Sequence, residues 1–299
     1  MVTAVEEPVQ LPSQVVSHIR FRMRDLSMLP AVASQALEIS KAPDCEIRDF
    51  CAVVERDAKL ATDVLCIANS AAFSGGRSVR SLNQAVVRLG FQQCRNLILS
   101  SSTSALMKKI HLDEEWIRES LCRHGFLTAF LALKLNRVLN TGFEGDEFTA
   151  GLIHDFGRTI LAVCFPNEFK TMDPMHFHED EPDFLNRERA VLGTDHCQVG
   201  AWFATNNRLP RELVCCILNH HELNRECPHI RLATLIASAD HMANYLQCHG
   251  TAQGYEIDRN LALRQLEDYG VPRTLSLLAD IAEQLMEATM HEAHEVAGF

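Results

Sequence analysis

The sequence predicts an all-α fold: an N-terminal helical bundle followed by a second helical domain. Apolar residues recur at helical spacing along nearly the whole chain, helix caps and stops punctuate them, and strand-like alternation is almost absent. The composition allows a full core, with 299 residues of which 47% are hydrophobic and 22% charged.

Residues 1–14 read as a polar tail. From residue 15 to 112 the pattern is a bundle of short amphipathic helices. In RDAKLATDVLCIAN and the two residues after it, Leu60, Val64, Ile67 and Ala71 recur as one apolar stripe, and Asp57 is placed to cap its start. SLNQAVVRLG opens at Ser81, suited to N-capping, and closes at Gly90, a natural helix stop. The acidic stretch HLDEEW is the expected seam before a second helical region over 113–299. Within that region a Pro- and acid-rich segment, Pro166 to about Asp183, reads as a solvated loop, its His176 and His178 included. Leu209-Pro210 opens the helix that ends at His220-His221, with Pro in the favoured first turn.

With 28 basic against 39 acidic residues the formal net charge is -11, so attraction to nucleic acid is not expected. No window approaches a transmembrane stretch and the opening is acidic where a secretory leader is basic, so a cytoplasmic protein without membrane contact is expected. Eleven cysteines without a CxxC, mostly inside apolar runs, predict buried reduced thiols rather than a disulfide or zinc scaffold. Cys215-Cys216, just ahead of the His pair, is the cysteine feature to check for reactivity.

The residues that carry chemistry are His124, His154-Asp155, His196, His220-His221 and Asp240. Each of His124, His196 and Asp240 falls on an apolar stripe: His124 with Leu127, Leu131 and Leu135; His196 with Val199 and Phe203; Asp240 with Ile236 and Ala243. Taken singly, such a histidine reads as a core residue bonded to a carbonyl. Two carboxylates on apolar faces change the reading, because a buried carboxylate needs a cation or several donors. Gly151 and Gly157 permit close helix approach beside Asp155, whose carboxylate can bridge two ions. The pattern therefore predicts one or two divalent transition metals, iron, manganese, zinc or nickel, held by His124, His154, Asp155, His196, His220, His221 and Asp240.

The order His, His-Asp, His, His-His, Asp resembles the HD superfamily of metal-dependent phosphohydrolases, with GLIHDFGRTIL at the place of its HD motif. LPAVASQALEIS, VERDAKLATDVLCIANSAAFS, SLNQAVVRLG and GTDHCQVGAWFATNNRLPRELVCCILNHHE narrow this to a resemblance to the HDOD domain, the HD-related output domain of bacterial signalling proteins, over roughly residues 15–285. The resemblance implies a regulatory protein acting through signalling partner proteins, with His124, His154, Asp155 and Asp240 as the HD site proper and His196, His220 and His221 serving a second metal. It carries an alternative, a metal-dependent phosphohydrolase acting on a nucleotide or other phosphoester, in which Asp155 and Arg158 are the catalytic residues. Arg158 stands where the cyclic-di-GMP phosphodiesterases of the superfamily have Lys, and NRECPHI stands where they carry GYP, which points away from that substrate. Asn69-Ser70-Ala71 is expected to serve a tight helix crossing.

Overall fold

A computed structural model of the chain describes residues 9–24, 30–40, 42, 44–74, 76–110, 112, 114–173, 175–177 and 184–297. His178, Glu179, Asp180 and Glu181 of the expected loop lie outside the described residues. Among the described residues all regular structure is helical. The first half runs α1 (Ser13–Arg22), α2 (Ala31–Ile39), α3 (Ile47–Val54), α4 (Ala58–Asn69), the single turn α5 (Ala71–Ser74) and α6 (Leu82–Lys109). The second runs α7 (Glu115–Leu139), α8 (Asp146–Ile153), α9 (Phe156–Cys164), α10 (Pro166–Met172), α11 (Phe184–Leu192), α12 (His196–Asn206), α13 (Arg211–Asn219) and α14 (Ile230–His249). A 3₁₀ turn (Ile257–Arg259), α15 (Leu261–Asp268), α16 (Thr274–Leu278) and α17 (Ala282–Ala297) complete the described chain.

Local chemistry sets the ends of these helices. Asp57 accepts from the Leu60 amide at 3.0 Å and Ser81 from the Gln84 amide at 3.2 Å, so both expected caps form. Gly90, at φ 82°, interrupts the helical path, but the chain turns helical again at once, and α6 continues across the kink to Lys109. Asn69 does more than line a crossing: its amide donates to the Val79 carbonyl at 2.9 Å and its oxygen accepts from the Val79 amide at 2.7 Å, pinning the loop behind α5.

The two halves share one apolar core. Its axis is α7, buried on nearly every side from Leu121 to Asn136, which packs against α8, α14 and α17. The N-terminal bundle joins through α6, which lies on α8. Helix α1 docks elsewhere: His18 Nε2 meets the Cys164 carbonyl at 2.8 Å, its ring stacks on Phe165, and Arg22 donates to the Val163 carbonyl at 3.1 Å. The first helix thus straps α9 in the second half rather than closing the bundle.

Two sequence expectations are corrected. The segment from Pro166 is not a solvated loop throughout. Pro166 starts α10 in the first turn, where its missing N–H costs nothing, and Asp173, Met175 and Phe177 beyond it are buried. The cysteines are not all free, since Cys215 on α13 and Cys227 form a disulfide with Cα atoms 6.8 Å apart. Turns after His221 fold the chain back to bring Cys227 beside α13, a juxtaposition that a spacing of 12 residues does not announce. Cys216 is a buried thiol that burial pushes well above its ordinary value. No helix among the described residues is long and apolar enough to cross a membrane.

Candidate metal centre

The fold brings side chains from α7, the α8–α9 joint, α12, the end of α13 and α14 to one point. The His-Asp pair does not lie within one continuous helix. Helix α8 stops at Ile153, Asp155 takes φ -97° and ψ 13°, and α9 restarts at Phe156. That bridge-region conformation, frequent at active sites, turns both side chains inward at the break.

Asp155 sits between two groups of imidazoles. Its Oδ2 lies 3.7 Å from both His124 Nε2 and His154 Nε2. Its Oδ1 lies 3.3 Å from both His196 Nε2 and His220 Nε2. Asp240 Oδ1 closes the first group, 2.9 Å from His124 Nε2 and 3.4 Å from His154 Nε2, with the two imidazole nitrogens 3.3 Å apart. His221 stands beside the second group, its ring centroid 4.2 Å from that of His220 and 5.1 Å from that of His196, and is open to solvent. The seven residues singled out from sequence therefore converge, six buried and His221 exposed at the mouth.

Whether the residues fit a cation is decided by their protons. His154 Nδ1 donates to the Gly151 carbonyl at 2.7 Å, His220 Nδ1 to the Ile217 carbonyl at 2.9 Å, and His196 Nδ1 to Glu188 Oε2 at 2.8 Å. Each bond fixes the tautomer and leaves an Nε2 lone pair facing a carboxylate, the arrangement that metal-binding histidines adopt. Burial would raise the Asp155 carboxyl, yet His154, Arg158, His196 and His220 outweigh it and hold Asp155 well below the usual carboxylate range. The same contest is won at Asp240 by His124 and His154. Burial lowers His124 despite Asp240, which keeps that ring neutral. Lone pair against carboxylate is repulsive without a positive charge between them. At the second group, against burial, Cys197 and carboxylates, Asp155 among them, raise His196 and His220 above the ordinary imidazole value, so a proton can supply that charge, but it leaves Asp155 Oδ1 and His220 Nε2 buried without hydrogen-bond geometry to any partner. An ion fits better: nitrogen and oxygen donors on a tetrahedral zinc, at roughly 2.0–2.2 Å from the metal, stand about 3.4 Å from one another. The two groups could each hold a metal ion.

Several supporting residues were not legible in the sequence. Glu188, fully buried on α11, accepts from both the amide and Nδ1 of His196. Asn244, one turn beyond Asp240, donates to its Oδ1 at 3.0 Å, a spacing that the stripe on α14 could have flagged. Cys197 Sγ lies 3.4 Å from His196 Nε2. Arg158 is buried, donates to Asp155 Oδ2 at 2.9 Å and holds Asp173 through Nε at 2.8 Å and a terminal nitrogen at 3.0 Å. Its guanidinium also faces Phe177 and Phe184, with the rings 4.7 and 5.0 Å away. Arg158 is thereby a positioning residue for Asp155, and the catalytic role that the phosphohydrolase alternative gives it competes with its hold on two carboxylates.

A cavity of about 370 Å³ opens onto this centre. Asp155, Arg158, Asp173, His220, His221 and Asp240 line it together with the rings of Phe177 and Phe184, and so do His241, Asn244, Arg259 and Gln265. Phe156, next to Asp155, and Trp202, on α12 with His196, do not line it. Phe156 packs on Phe203, and Trp202 lies under the Arg20 guanidinium.

The fold has solved counterparts. An HDOD domain protein of unknown function from Geobacter sulfurreducens superposes with a TM-score of 0.68 at 22% identity, covering 95% of this chain and 98% of that one. A provisionally named metal-dependent phosphohydrolase from Shewanella amazonensis SB2B gives 0.61 at 18% identity, covering 95% and 98%. At these identities the likeness is one of fold. An uncharacterized protein of Treponema pallidum (strain Nichols) is 26% identical over 215 residues, 71% of this chain, and the match spans 40% of that relative's own length. The HDOD domain model matches residues 26–223, well over half the chain and all of the ligand-type positions but Asp240, and on that match the chain belongs to the HDOD family.

Proposed function

We propose that this HDOD protein carries a two-metal centre that binds and hydrolyses a phosphoester in the cavity beside it, as part of a regulatory task. The observation that supports this reading is the cavity itself, whose lining brings Asp155, Asp240, His220 and His221 to open space beside Phe177 and Phe184. His124, His154, Asp155 and Asp240 would hold one ion, and Asp155, His196, His220 and His221 the other. Bound divalent metals supply Lewis acidity and activation of water.

The protein's own share is positional. Arg158 and Asp173 fix the angle of the Asp155 carboxylate, so both oxygens keep their bearings on separate histidine groups. Asn244 does the same for Asp240, and the Gly151 and Ile217 carbonyls do so for His154 and His220. Arg259, which pairs with Glu256 through Nε, and Asn244 also line the cavity and would face the non-reacting part of a bound phosphoester. A purely regulatory module working through a signalling partner is the second reading. It is favoured by the occupied donors of Arg158, whose charge is shared by Asp155 and Asp173.

The test is metal analysis followed by assay. Purified protein loaded with manganese, iron or zinc is screened against phosphomonoesters, phosphodiesters and nucleotides, beside Asp155→Ala. Retained metal with turnover that Asp155→Ala loses supports the hydrolase. Retained metal with no turnover on any of them moves the protein to the second reading, and unchanged metal content in Asp155→Ala removes the site assignment.

A further inference from the structure

Cys197 differs from the chain's other buried thiols in its company. Cys51, Cys94, Cys122, Cys164 and Cys216 all lie within the apolar core cluster, where a thiol acts as a small hydrophobe. Cys197 is equally buried but lies outside that cluster, on the first turn of α12 beside Asp195 and Gln198, and lines a cavity with Arg189, Asn219 and Glu222. Leu185, Leu218 and Leu223 also line that cavity, so the surroundings of Cys197 are mixed rather than the apolar core of the other thiols.

Its sulfur is instead directed at the second histidine group. Sγ stands 3.4 Å from His196 Nε2, the nitrogen whose proton-bearing partner atom is already committed to Glu188. Donors on one tetrahedral zinc, with Zn–S about 2.3 Å and Zn–N about 2.0–2.1 Å, are separated by about 3.6 Å. Sγ is 3.9 Å from His220 Nδ1, whose proton goes to the Ile217 carbonyl, so the sulfur addresses the position from its His196 side. His196, Cys197, His220 and His221 together place one ligand atom each within 4.8 Å of one another. Independently of the cysteine, Asp155 Oδ1 and His220 Nε2 are buried polar atoms without a hydrogen-bond partner at the same point.

We propose that Cys197 Sγ is a thiolate ligand of the second metal position, which makes that position thiophilic while the first, built from His124, His154, Asp155 and Asp240, uses nitrogen and oxygen alone. This rests on the two-metal reading above. On binding, the Cys197 S–H proton leaves to solvent as the sulfur–metal bond forms. Soft thiolate and imidazole donors select zinc or iron(II) over magnesium or manganese at the second position, so the two positions differ in metal preference.

The test uses the whole protein loaded with cobalt(II) as a spectroscopic stand-in for zinc. Wild type is expected to show a thiolate-to-cobalt charge-transfer band in the near ultraviolet, and Cys197→Ser to lose the band and bind the second ion about tenfold or more weakly. X-ray absorption on zinc-loaded wild type is expected to show a sulfur scatterer. That measurement needs no variant, and no other thiol among the described residues shares the ligand group. Cobalt bound without the band, zinc without sulfur, or a band that persists in Cys197→Ser each overturns the Cys197 assignment and leaves the metal centre standing. Wild type that binds no cobalt overturns both.

Discussion

Asp155 and Arg158 illustrate what single residues contribute. The guanidinium is shared by two buried carboxylates, Asp155 and Asp173, and this pairing raises it above its ordinary value against the effect of burial. Removing it strands both carboxylates in low dielectric. Arg158→Ala is expected to cost about 3–5 kcal/mol, the typical penalty for breaking a buried ion pair, read by chemical denaturation of metal-loaded protein. Arg158→Lys should recover only part of this, because an ammonium cannot make the two-pronged contact with Asp173. A loss below about 1 kcal/mol would sink the positioning role. Glu147 makes a separate prediction. Burial pushes its carboxyl up to about 7 from an ordinary 4.5, in spite of hydrogen bonds from Asn136 and the Gly145 amide. The folded state then holds the proton more tightly than the unfolded chain, so this stabilisation is complete below about 4.5 and is lost as pH rises through about 7. Urea midpoints between those limits should fall more steeply for wild type than for Glu147→Gln, and parallel curves would remove the effect. The candidate ligand residues were legible because a titratable group on an apolar stripe is conspicuous in one dimension. Glu188, Asp173 and Cys197 were not, because each looks ordinary until the fold buries it beside a partner.

At the scale of the helix, small residues set the distances. A Cβ on Gly157 would overlap the His196 carbonyl, one on Gly151 would stand 2.8 Å from Ala129 Cα, and one on Gly125 2.8 Å from the Leu152 carbonyl oxygen. The crossings α9 on α12 and α8 on α7 are therefore backbone against backbone. Sequence disclosed the glycines and their proximity to Asp155 but not the elements they face, since contact partners depend on the topology. Gly157→Ala is expected to force α9 and α12 apart, with a loss on the order of 3 kcal/mol and weaker binding of the second metal. A stable variant with unaltered metal stoichiometry would show that the crossing can relax. The α8–α9 break and α10 were also hidden. An unbroken apolar run such as GLIHDFGRTIL reads as one helix, and a proline after Phe165 reads as an end when it is in fact a start.

Across the whole molecule, the candidate centre gathers five helical elements that are remote in sequence, with His124 and Asp240 separated by 116 residues. An ion there cross-links the ends of the second half. Chelation is accordingly expected to lower the melting temperature of the entire protein, not just to release a local segment, and calorimetry with and without chelator reads the shift. An unchanged transition would mean that the side-chain network alone suffices. The all-α class follows from periodicity, whereas the docking of α1 on α9 does not. His18, Arg20 and Arg22 present an unremarkable amphipathic turn until the fold supplies their partners, the Cys164 and Val163 carbonyls at the end of α9 for His18 and Arg22 and the Trp202 ring of α12 for Arg20.

The contact of Gly157 with His196 has a wider meaning. Asp155 lies two residues before the glycine and His196 is the residue whose carbonyl it meets, so the gap between a carboxylate and an imidazole is gauged by two peptide backbones. Side-chain repacking nearby can change what surrounds the centre without altering this gauge. Designed changes of bite distance, and natural drift in metal choice, must either act on that one crossing or work by exchanging the donor atoms around it.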